Sequence, residues 1–98
     1  MNQSSPAVTV MHSPDVLGPV VRARRKSQSL RIDDAAALLG VSVDLMSRLE
    51  NGQGSVRLDK VMAVLDGLGL ALMVLPKEHP WVREAETTHR PSHPGPQP

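Results

Sequence analysis

The stretch AAALLGVSVDLMSRLENG, residues 35 to 52, reads as two short helices joined by a tight turn. Small Ala36 lets two helix axes come close. Four residues on, Gly40 can take the left-handed conformation that a sharp helix stop needs. Met46 and Leu49, ten and thirteen residues after Ala36, fall where side chains would fill the corner between the helices. Ser42 stands ready as N-cap of the second helix. A plain helical hairpin could share some of these features. Together, at these offsets, they describe a helix-turn-helix.

The flanks supply two more helices. SPDVLGPVVRARRKSQ (Ser13–Gln28) opens with Ser13 as N-cap, Pro14 at the first helical position and Asp15 near the positive end of the dipole. Val16, Leu17, Val20 and Val21 then share a face. Pro19 removes the bond to the Asp15 carbonyl, so a kinked first turn, or a helix regular only after Pro19, is expected. In RIDDAAALLG, Ile32, Ala35, Ala36 and Leu39 point inward; in SVDLMSRLEN, Leu45, Met46 and Leu49 do. RLDKVMAVLDGLG places Leu58, Val61, Met62, Leu65 and Leu68 on one stripe, with Gly69 as terminator.

At Leu70 the period changes. LALMVLP (Leu70–Pro76) is continuously apolar, too short for another helix and stopped by Pro76, and it reads as a strand covered on both faces. A lone strand cannot satisfy its own backbone groups. The other candidate within the chain lies at residues 7–11, where Val8 and Val10 alternate against Thr9. The remaining edge is most simply met by the same strand of a second subunit, making Leu70, Leu72, Met73 and Val74 a dimer interface. The expected organisation is an arm at 1–12, a helical domain at 13–69, a dimerisation strand at 70–76 and a disordered tail at 77–98. The tail holds five of the nine prolines and three of the four histidines and has few aliphatic residues.

Composition narrows the function classes. About seventy residues remain to fold, a size at which self-association often supplements a marginal core. With no cysteine there is no disulfide framework and no thiolate zinc site. No apolar run reaches a membrane span and no signal pattern opens the chain, so a cytoplasmic protein with no membrane partner is expected. A formal charge of +1 does not by itself argue for nucleic acid, but RARRK (Arg22–Lys26) concentrates four cations. That run is either a solvated helix face or part of a binding surface. Neither a nucleophile–base–orienter set nor a phosphate loop is present, so no enzyme activity and no cofactor are expected. His89 and His93 are spaced like ligands, but the prolines around them prevent the helix that would converge them, so no metal is expected.

From Ser13 to Pro76 the chain resembles the Xre/Cro-type helix-turn-helix family and, within it, the HipB-type antitoxins. The resemblance rests on VVRARRKSQSL, AAALLGVS, LMSRLENGQGSVRLDKVMAVLDGLGL and the closing ALMVLP. SRLENG belongs to the broad family; the continuation SVRLDKVMAVLDGLGL with a terminal strand favours the HipB-type branch. This implies a mainly α fold of four to five helices, with the short C-terminal strand forming an intermolecular β-lid in a homodimer. It further implies a repressor of its own operon that binds a palindromic double-stranded DNA operator and neutralises a HipA-like serine/threonine kinase toxin. A stand-alone Xre-type regulator without a toxin is the alternative. A protein-interaction module that has lost DNA binding is a third reading, motivated by Ile32 and Asp44.

Two positions depart from the family. Where it usually carries Thr-Gln, with the glutamine on a DNA phosphate, this chain has Arg31-Ile32; Arg31 could supply a phosphate contact of its own. The first reading position, often glutamine or a basic residue, is Val43, which can meet only an apolar group such as a thymine methyl. Arg48 can bridge guanine O6 and N7, or pair with Asp44 one turn back. Asp44 itself serves the helix dipole or accepts from cytosine N4. Ser42 and Ser47 are candidate phosphate or base partners, with Ser42 also committed to capping. Asn51, Gln53 and Ser55 can donate to phosphate from the following loop. The resemblance sets Arg25 opposite Glu50 as a structural ion pair. Trp81, the only aromatic residue, is either idle or an anchor for a partner.

Overall fold

The computed structural model describes residues 8–89. Five helices follow one another: α1 (Pro14–Ser27), α2 (Ile32–Leu39), α3 (Val43–Glu50), α4 (Leu58–Gly67) and α5 (Pro80–His89). The chain divides into two units, one spanning Met11–Met73 with α1 to α4, the other formed by the chain ends and containing α5.

In the first unit every helix contributes to one core. Val21 comes from α1, Ala35 and Ala36 from α2, Met46 and Leu49 from α3, Val61, Val64 and Leu65 from α4, and Leu68 from just beyond it. Met46, Leu68, Val21 and Val64 are fully buried. Leu17, Leu30, Ile32, Leu39, Val41, Leu45, Val56 and Leu70 pack around them. Ile32 thus serves the core from the first position of α2. The α4 stripe is rotated from its expected setting. Val61, Leu65 and Leu68 face inward and Val64 joins them, whereas Leu58 is 67% exposed and Met62 52%.

α1 is helical from Pro14 through Pro19, so it does not wait until after Pro19 to become regular. Pro19 lies near the N-terminus, where its missing N–H costs a single intrahelical bond, to Asp15. Beside it, Gly18 is buried where α1 meets the end of α3. A Cβ built there would stand 2.3 Å from the Glu50 carbonyl oxygen and 2.9 Å from that of Leu49, so only glycine allows the two backbones this close.

Among the described residues there is no strand. Residues 70–76 have no ladder partner among the described residues, and the 8–11 portion of the N-terminal candidate is irregular; Ala7 lies outside the described residues. Leu72, Met73 and Val74 are exposed, Val74 to 91%.

Within the segment expected to be disordered, Pro80–His89 is helical. The start is well specified: Pro80 takes the first position, and Nδ1 of His79 accepts from the Trp81 backbone N–H at 3.1 Å, in the manner of an N-cap. The carbonyl of His79 accepts from Val82 and Arg83. Residues 90–98, including His93, lie outside the described residues.

Candidate nucleic-acid interface

α2 ends at Gly40, which takes the left-handed conformation (φ 72°, ψ 31°), and the Val41 N–H reaches back to the Ala36 carbonyl at 3.0 Å. Three residues later α3 begins, with Ser42 Oγ accepting from the Leu45 N–H at 3.0 Å. That bond commits the Ser42 oxygen to the cap. With Ala36 buried at the crossing and Met46 and Leu49 beneath, α3 is held against α2 with its other side outward.

The outward face of α3 carries Val43, Asp44, Ser47 and Arg48, one continuous stripe at helical spacing, and Asn51 extends it at the C-cap. Val43 is 46% exposed. Eight residues make a rod about 12 Å long, short enough to lie in a DNA major groove. Arg48 is held at both sides of its guanidinium: Nε donates to Asp44 Oδ2 at 3.1 Å and Nη1 to the Ser55 carbonyl at 3.0 Å. Asn51 turns its amide onto the helix, donating to the Ser47 carbonyl at 2.8 Å, so in this state its donor is spent locally. Gln53 is exposed in the loop, where its backbone N–H bonds the Arg48 carbonyl at 2.9 Å. Arg31, as N-cap residue of α2, is exposed and lies 3.3 Å from Asp33.

Behind the stripe, the structure brings Arg25 and Glu50 together as a buried bidentate pair, Nε to Oε2 at 2.6 Å and Nη2 to Oε1 at 2.9 Å. Arg25 Nη1 also donates to the Leu30 carbonyl at 2.9 Å, tying α1 to the segment before α2. The hydrogen bond to Glu50 holds the Arg25 guanidinium above its ordinary value, against the opposing effect of burial, and the carboxylate charge adds to the rise. The rest of RARRK is less free than the sequence suggests. Arg24 Nε and Gln28 Nε2 both donate to the Leu68 carbonyl, at 2.7 and 3.1 Å, closing the end of α4, and Arg22 Nε stands 3.8 Å from Glu50.

In the second unit the Trp81 ring meets His79 edge-on, centroids 5.4 Å apart, and is partly buried. No helix among the described residues is long and apolar enough to cross a membrane.

A short exposed helix, mounted on a second helix through a left-handed glycine turn, is the reading half of a helix-turn-helix. The chain belongs to the helix-turn-helix domain family, whose model matches residues 16–73. It is 36% identical over 63 residues to the uncharacterized HTH-type transcriptional regulator y4mF of Sinorhizobium fredii, covering 64% of this chain and 83% of that protein. Its fold is shared by a chain of the solved HipA-HipB-O2-O3 complex (TM-score 0.65, 18% identity, 72% of this chain and 100% of that one). A chain of the HipB-O4 20mer complex matches to the same extent. ClgR, the clp gene regulator from C. glutamicum, matches with TM-score 0.53 and 26% identity over 59% of this chain and 75% of its own.

Sequence reasoning missed Gly18 and the Arg24–Gln28 clamp on α4. Gly18 left one clue, a glycine retained inside a helix where it costs about 1 kcal/mol against alanine. The clamp left none, because its two bonds join residues 44 and 40 apart.

Proposed function

We propose that the chain is a homodimeric, sequence-specific DNA-binding repressor that serves as the antitoxin of a type II toxin–antitoxin pair and neutralises a HipA-like kinase. The observation that carries the DNA-reading part is the outward stripe of α3, from Val43 to Arg48, on a helix whose opposite side is locked into the core. In this role Val43 meets a thymine methyl and Arg48 a guanine, while Ser47 and the flanking Arg31, Asn51 and Gln53 contact base or backbone oxygens. Asn51 would first have to release Ser47. The regulator y4mF supports the regulatory reading. The fold shared with HipB chains and the SVRLDKVMAVLDGLGL continuation support the antitoxin branch.

With one guanidinium and one apolar contact per helix, affinity must come from two half-sites and from phosphate contacts. Pairing of residues 70–76 with their symmetry mates would supply the dimer and cover Leu72, Met73 and Val74. Trp81 is proposed as an anchor for the toxin. The similarity to ClgR favours a second reading, a stand-alone regulator. Two measurements separate these. Promoter DNA from the chain's own operon should be retarded in a salt-dependent way, and a kinase-like protein encoded beside it should co-purify. Retardation without such a partner would favour the stand-alone regulator; no retardation at low salt would overturn the DNA reading.

A further inference from the structure

We infer that Asp44, a residue that by charge alone should oppose DNA, is the positioning residue that aims Arg48 at its base; this rests on the DNA-reading role proposed above. Arginine reads guanine through two parallel N–H donors, and its guanidinium offers two such edges. Asp44 takes the Nε hydrogen and thereby removes the side edge, which needs Nε. The Ser55 carbonyl takes one hydrogen of Nη1. Nη1 keeps a second hydrogen and Nη2 has no partner among the described residues, so the donors left for a base lie on Nη1 and Nη2 and not on Nε.

The two grips come from different elements. Asp44 stands one turn back on α3, and Ser55 belongs to the loop that follows, itself anchored by the Gln53 N–H on the Arg48 carbonyl at 2.9 Å. A long side chain free in water loses rotamer entropy when it docks on a base; one already held at both sides loses less. The carboxylate also stays beside the guanidinium while water is excluded from the groove, where the pairing is stronger than in bulk solvent. Asp44 therefore acts through Arg48 and contacts no base.

Removing the carboxylate should separate two quantities that unfolding would lower together. A duplex would first be selected from a randomised pool with the full chain. Discrimination at each base pair would then be measured for the wild type, Asp44→Asn, Asp44→Glu, Arg48→Ala and the Asp44→Asn/Arg48→Ala double variant, beside binding to random-sequence duplex. A bidentate arginine contact carries roughly 5- to 150-fold discrimination. Asp44→Asn is expected to lose about three- to tenfold of it, at the same base pair that Arg48→Ala affects, while random-duplex binding holds or rises as the repelling charge is removed. The double variant should discriminate no worse than Arg48→Ala, and Asp44→Glu should recover part of the loss. Unchanged discrimination in Asp44→Asn, or equal loss on selected and random duplex, would overturn the inference while leaving DNA reading intact. A wild-type chain that selects no sequence would refute the DNA reading and this inference with it.

Discussion

Gly18→Ala is the perturbation whose sign is most informative. In an ordinary exposed helix this change stabilises by about 1 kcal/mol, since alanine loses less backbone entropy. Here the added methyl would stand 2.3 Å from the Glu50 oxygen and 2.8 Å from the carbonyl carbon behind it. Neither is the tip of a flexible side chain. Both belong to the last turn of α3, which must move as a unit. Overpacking of this kind costs typically 1–3 kcal/mol, and contact with backbone puts it at the upper end, about 3 kcal/mol. Subtracting the propensity gain leaves a net loss of about 2 kcal/mol, or roughly 8–16 °C in Tm for a domain this small. Thermal and urea unfolding followed by circular dichroism would measure it. A variant equal to or more stable than the wild type would mean that α1 and α3 do not approach this closely, and the mounting of the reading helix described above would be wrong.

The remaining predictions address the pair, the stripe and the dimer. Arg25→Ala or Glu50→Ala alone should cost about 3–5 kcal/mol by leaving a buried charge unpaired, and the double change should cost less than the sum; additive effects below 1 kcal/mol in urea melts would show that the pair is not coupled. Arg48→Ala should weaken operator binding by about 1–3 kcal/mol and relax preference at one base pair per half-site; equal losses on random DNA would assign Arg48 to phosphate. Leu72→Asp and Met73→Pro, respectively placing a charge in the proposed seam and deleting a ladder donor, should yield a monomer that no longer binds a two-half-site operator. A tight dimer by sedimentation after both changes would place the interface elsewhere.

Much of the helix-turn-helix was legible because its determinants are local. Gly40, Ser42 and the inward pair Met46 and Leu49 act within one or two turns of their own position, so spacing along the chain carries their geometry. The exposure of Leu58 and Met62 is not legible in the sequence, for the converse reason. A stripe of period 3.6 fixes which residues share a face, but the rotation of α4 about its axis is decided by what it packs against, and Val64 took the inward place. The α5 helix was obscured by averaging composition over twenty-two residues, whose prolines cluster at the end, while His79-Pro80 carried an ordinary helix start within it. At the site, the residues of the stripe were readable from spacing. The double hold on Arg48 was not, because half of it is a backbone carbonyl whose position depends on the path of the loop.

Two of the devices that secure α3 converge on one residue. Gly18 lets the α1 backbone rest on the Glu50 carbonyl, and Arg25, two turns later on the same helix, takes the Glu50 carboxylate. Among the described residues the far end of α3 has no comparable fixture: Ser42 Oγ accepts only from the helix's own Leu45 N–H, and Val43 and Asp44 are exposed. The helix is therefore clamped at its C-terminal end and open at the end that would enter DNA first. Such a mount explains why a buried ion pair persists where a hydrophobic pair could stabilise as well. A hydrophobic contact would hold α3 in place but leave it free to rotate, whereas two hydrogen bonds of fixed direction also set its rotation. In a proposed dimer that reads two half-sites, a rotational error in each reading helix would misalign both, so the requirement falls on direction more than on strength.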